Sequence, residues 1–88
     1  MKPYTALLTE LLSKELRTLR SRNGLTQEAM AEQLHISSRA YSDLERGKYC
    51  VSAATLMFLL PMLETEEQQT LIRSFLERVQ SLEDDDAA

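Results

Sequence analysis

A dense group of hydrogen-bonding side chains that could do chemistry lies between Ser37 and Lys48: Ser37, Ser38, Arg39, Ser42, Asp43, Glu45, Arg46 and Lys48. They are interleaved with Ala40, Tyr41 and Leu44, whose spacing gives a helix one apolar side and one polar side. Nothing in this group assembles for bond breaking. The sequence has no Ser/His/Asp or Cys/His arrangement and no glycine-rich phosphate loop, and its one dense carboxylate run is Glu83-Asp84-Asp85-Asp86. His35 is the single histidine and Cys50 the single cysteine, so neither a metal site nor an internal disulfide is expected. The chain is not expected to be an enzyme, to carry a cofactor or to take a small-molecule ligand. Its polar chemistry is that of recognition.

Two short helices must position these residues. The first follows Thr26, a good N-cap, with Ala29, Met30, Ala31 and Leu34 at helical spacing. The second starts at Ser37, another N-cap, and stops at Gly47. His35 and Ile36 alone separate Leu34 from Ser37, too short a link for the helices to lie antiparallel. Helices joined this closely at a large angle make a helix-turn-helix, here spanning about 26–46, whose second helix can project its N-terminal side chains from the surface.

The same residues carry a resemblance. Arg20, Gly24-Leu25-Thr26-Gln27, Ala31, Leu34, Ile36-Ser37, Tyr41, Leu44-Glu45 and Gly47, continued by Ser52, Thr55-Leu56, Leu59 and Leu63, fall in one ungapped register. The segment 16–63 thereby resembles the phage-repressor/Cro-like (XRE-type) helix-turn-helix DNA-binding family. That resemblance implies an all-α, five-helix, lambda-repressor-like DNA-binding domain, here with a longer C-terminal helix. It implies a transcriptional regulator, a repressor, whose helix from Ser37 to Glu45 enters the major groove of double-stranded DNA. Ser38, Arg39, Ser42 and Asp43 would then face the bases. Guanidinium bonds both O6 and N7 of guanine, which makes Arg39 the leading specificity residue. Asp43 would accept from cytosine N4, exclude wrong sequences, or orient Arg39 one turn earlier. Thr26, Gln27, Ser37, Arg22, Arg46 and Lys48 would hold phosphates, and Arg20 with Glu45 would form a partly buried ion pair. The family's dimeric habit and its prokaryotic or phage origin imply a cytoplasmic homodimer.

Charge pulls the other way. The net charge is −4, and nucleic-acid binders usually present a basic surface. The acids are unevenly spread, however: 14–48 holds seven basic and five acidic residues, whereas 49–88 holds two basic and eight acidic. The alternative reading is a protein-interaction module that keeps the fold and binds a protein partner instead of DNA.

The remaining elements are supports. Leu7, Leu8, Leu11, Leu12, Leu16 and Leu19 stripe a first helix that ends at Asn23-Gly24, and the extra Leu7 and Leu8 need cover from the last helix or from a second subunit. A fourth helix follows Ser52 and breaks near Leu60, because Pro61 lacks a backbone donor and crowds the preceding turn. Thr65-Glu66-Glu67-Gln68 reads as a capping box opening the last helix, whose Leu71, Ile72, Phe75, Leu76, Val79 and Leu82 make a wide apolar stripe. The helix from Glu66 to Leu82 is the candidate dimer surface, in competition with packing on the first helix. The division expected is a domain over 1–82 and a disordered acidic tail over 83–88. No apolar run is long enough for a membrane span.

Overall fold

The structure, a computed structural model, describes residues 2–87. Its elements are α1 (Pro3–Arg22), α2 (Gln27–Gln33), α3 (Ser38–Glu45), α4 (Ala53–Leu59), a 3₁₀ turn (Leu60–Met62) and α5 (Thr65–Ala87). The all-α, five-helix architecture is the expected one, and no strand occurs among the described residues. Nor is any described helix long and apolar enough to cross a membrane.

Each helix of the 26–46 unit starts on a hydroxyl. Thr26 Oγ1 accepts from the Ala29 N–H at 3.0 Å and Ser37 Oγ from the Ala40 N–H at 3.1 Å, satisfying donors that the first turn leaves open. The helix ends are equally alike. At Gly24, His35 and Gly47 the backbone enters the left-handed region, with φ of 63°, 59° and 73°. In each case the next residue's N–H bonds back five residues: Leu25 to the Arg20 carbonyl, Ile36 to Ala31 and Lys48 to Asp43. This double-bonded stop ties up the orphan carbonyls and turns the chain sharply into the next helix.

His35 occupies the one such position without glycine, and its ring lies against Phe58 with centroids 4.3 Å apart. A left-handed residue with a Cβ costs about 1 kcal/mol relative to glycine, and an aromatic contact returns a similar amount. Thermal melts should therefore place His35→Gly level with the wild type. His35→Ala, which keeps the strained backbone and loses the ring, should fall about 1 kcal/mol below it.

The core joins α1 to the helix-turn-helix and to α4. Leu12, Leu16, Leu19, Met30, Ala31, Leu34, Tyr41, Leu44, Leu59 and Leu63 form one buried cluster. Pro61 has the expected effect: α4 ends at Leu59, and the chain passes through the 3₁₀ turn before Leu63 re-enters the core. Buried Thr9 and Ser13 bond to carbonyls of their own helix, Thr5 and Glu10, so neither hydroxyl is stranded.

α5 returns antiparallel along α1. Arg22 meets Glu67, Glu10 meets Arg78 and Tyr4 meets Glu83, so the pairs ascend one helix as they descend the other. This covers Leu7 and half-covers Leu8. Two expectations are corrected here. The cap of α5 is Glu64, not Thr65: Glu67 Oε1 accepts from the Glu64 N–H at 3.1 Å, and the Gln68 N–H bonds the Glu64 carbonyl. The helix also continues to Ala87 where a disordered tail was expected from Glu83, with Ala88 outside the described residues. Acids at a helix C-terminus are unfavourable, but Gln80 bonds Asp84 one turn on at 3.0 Å and Glu83 takes a bond from Tyr4, so 83–87 extends the hairpin.

Candidate nucleic-acid interface

Tyr41 and Leu44 drive one side of α3 into the core, and Tyr41 is completely buried with its hydroxyl 3.5 Å from the Leu16 carbonyl. Burial, reinforced by the neighbouring Glu45 carboxylate, pushes the Tyr41 hydroxyl well above its ordinary pKa. The other side of α3 is open. Ser38 and Arg39 are exposed, Ser42 and Asp43 partly so. Arg39 makes no hydrogen bond or ion pair with any described residue.

The far end of α3 is clamped at Glu45, which is 5% exposed. Arg20 grips its carboxylate with two bonds of 2.8 Å, Nε to Oε2 and Nη2 to Oε1. Gln27 Nε2 reaches Oε1 at 3.4 Å, and the remaining Arg20 nitrogen donates to the Leu25 carbonyl at 3.2 Å. One residue thus ties α3 to α1 and to the start of α2. The paired guanidinium holds the Glu45 carboxyl below the usual carboxylate range, burial opposing it, and Glu45 raises Arg20 in return.

Arg17 adds a contact that no motif announced. Its Nη1 donates to the Glu45 main-chain carbonyl at 2.6 Å, bringing a cation to the C-terminal end of the α3 dipole. Arg17 and Arg20 stand three residues apart on α1, the spacing that puts two side chains on one helix face, and this was the available signal.

The expected phosphate-holding residues divide. Thr26 and Ser37 spend their hydroxyls as caps, but the N-terminal turns they begin are exposed at Glu28 and at Ser38 and Arg39. Gln27 turns its amide nitrogen to Glu45. Arg46 and Lys48 are exposed beyond the end of α3, Arg46 at 4.0 Å from Asp43 and Lys48 with Nζ 5.5 Å above the Tyr49 ring. Asp43 thus lies with Arg46 and not with Arg39, against the idea that it orients Arg39. Arg22 is the clear misplacement. It is held by both oxygens of Glu67, at 2.6 and 3.2 Å, on the α1–α5 side, because Glu67 is fixed there by its bond at the start of α5. That pairing lowers the Glu67 carboxyl, while burial, then Glu67, raises nearby Glu15.

A capped helix clamped at its far end, with an open polar N-terminal side, is what the recognition half of a helix-turn-helix requires. The family model for a helix-turn-helix domain matches residues 11–70, more than half of the chain. The chain belongs to that helix-turn-helix family. No curated protein and no solved structure shows significant similarity to it. The matched helix-turn-helix segment runs from the middle of α1 into the second turn of α5. It leaves the N-terminal turns of α1 and most of α5 outside.

Proposed function

We propose that the protein is a sequence-specific, double-stranded DNA-binding transcriptional regulator that represses by occupying its site. The observation that carries this reading is Arg39: a guanidinium fork with no partner among the described residues, at the open end of a helix whose other end is locked to α1 and α2. Arg39 would read guanine; Ser38, Ser42 and Asp43 would touch neighbouring base edges. Backbone N–H groups at the starts of α2 and α3, with Thr26, Gln27, Ser37, Arg46 and Lys48, would hold phosphates on either side. Two copies would span half-sites about one helical turn apart, so the operator is expected to be a palindrome.

Selection of bound duplexes from a random DNA library tests this directly. The expected result is a palindromic motif with a guanine in each half. Its enrichment should weaken steeply with salt, because phosphate neutralisation releases counterions. No enrichment even at low salt would overturn the DNA reading. It would favour the protein-interaction module that the low pI of about 4.9 otherwise suggests.

A further inference from the structure

α5 has an inner and an outer side. Leu71, Phe75 and Val79 are half-buried, and Glu67, Arg78 and Glu83 reach across to α1. On the outside, Gln69, Ile72, Arg73, Leu76, Glu77 and Gln80 line one continuous strip. Ile72 and Leu76 stand 56% and 57% exposed in it, an apolar pair one turn apart with nothing over it among the described residues. Arg73 and Glu77 carry opposite charges one turn apart on one flank of this strip, and neither is ion-paired to any described residue. All but Gln69 lie beyond residue 70, where the family match ends, so the strip belongs to this chain's own extension.

We infer that the strip is built for α5 of a second copy, laid antiparallel across it. A two-fold axis perpendicular to the helix at the level of Phe75 sets each flank against the same flank of its partner, running the other way. Arg73 then stands level with Glu77 of the second copy and Glu77 with its Arg73, giving two ion pairs for one symmetry operation. Ile72 and Leu76 of the two copies meet on the opposite flank, and Gln69 comes within about one residue's rise of the second copy's Gln80 at each end. A parallel pair loses this. Each residue then sits level with its own copy, so Arg73 has Arg73 at its height and the charge reciprocity is gone. A single pair of helices is small among specific interfaces, so the dimer is concentration-dependent and its partner choice rests on the charges.

The inference deepens the dimeric reading above and is tested without DNA, by sedimentation equilibrium of the full chain over a concentration series. The wild type should rise reversibly from a 10.1 kDa monomer to twice that mass. Arg73→Glu places two acids on the flank and Glu77→Arg two bases. Each variant alone should stay monomeric where the wild type is dimeric, and at concentrations where the wild type is itself monomeric the melting curves should coincide, since both sites are exposed. An equimolar mixture of the two should recover the dimer, because each then supplies what the other lacks. A wild type that stays monomeric throughout overturns both this pairing and the dimeric reading. A dimeric wild type whose two variants also dimerise alone, or fail to pair when mixed, overturns the antiparallel α5 contact and leaves the dimer to another surface.

Discussion

Glu45→Ala is expected to lower the melting temperature by about 15 °C, the largest effect of any single truncation at a polar residue here. The substitution removes both charged bonds to Arg20 and the contact with Gln27, and leaves a partly enclosed guanidinium facing the Tyr41 hydroxyl. Breaking a buried pair on one side costs about 3 kcal/mol, and in a domain of this size each kcal/mol moves the midpoint by about 5 °C. Glu45→Gln keeps the volume and should lose clearly less. The pair also sets the acid limb of stability. The folded Glu45 carboxyl lies below its unfolded value, so its contribution is complete above the ordinary carboxylate range and is lost as pH falls through the folded value. Glu67 acts in the same direction, whereas Glu15, raised by burial, is destabilising once ionised. Denaturation across pH 3 to 7 should therefore show a fall below about pH 4.5 in the wild type that is shallower in Glu45→Gln. Equal acid limbs in the two proteins would show that the pair adds nothing to folding.

Arg39→Ala should weaken binding to the selected palindrome by about a thousandfold while leaving the melting curve where it was. A good two-bond contact to guanine is worth about 2 kcal/mol of discrimination, or roughly 30-fold for one half-site, and a dimer makes the contact twice. Arg39 is exposed and has no partner among the described residues, so folding should not depend on it. Arg39→Lys should keep the charge and lose the fork, which relaxes the guanine preference while the salt dependence stays nearly intact. Lys48→Ala gives the contrasting pattern: a modest loss on every sequence and a salt slope smaller by about one per half-site. Anisotropy titrations on the motif and on a scrambled duplex separate these cases. An Arg39→Ala protein that keeps both motif and affinity would move base reading to other residues of α3.

Where the helix-turn-helix lies was plain from residues whose backbone demands are local. Thr26 and Ser37 mark starts, Gly24 and Gly47 mark stops, and Pro61 breaks α4, because each acts on its own turn. The Arg20–Glu45 contact followed from the resemblance, not from spacing. Other features depended on tertiary neighbours that no short window contains. Arg22 and Arg17 are long cations of similar local setting, yet one was drawn to Glu67 and the other to the Glu45 carbonyl once α5 and α3 had docked on α1. The cap of α5 fell on Glu64 and not on Thr65 because the side chain that reaches back three residues to a free N–H is Glu67, not Gln68. Its end at Ala87 depended on support from Tyr4 and Gln80. The apolar stripe of α5 was visible, but its width could not show that half faces α1 and Ile72 and Leu76 face away.

The three matching stops at Gly24, His35 and Gly47 bear on how the free protein opens and closes. With the chain turned by hydrogen bonds at each corner, the second half of α1, α2 and α3 have no slack linker in which one helix could unravel while its neighbours hold. Their amides should exchange with deuterium as one cooperative block, near the free energy of global unfolding, while the last turns of α5 exchange orders of magnitude sooner. The recognition helix is then already ordered before any partner arrives. Binding should leave the protection of its backbone almost unchanged, and association should proceed at the speed of encounter, without a folding step.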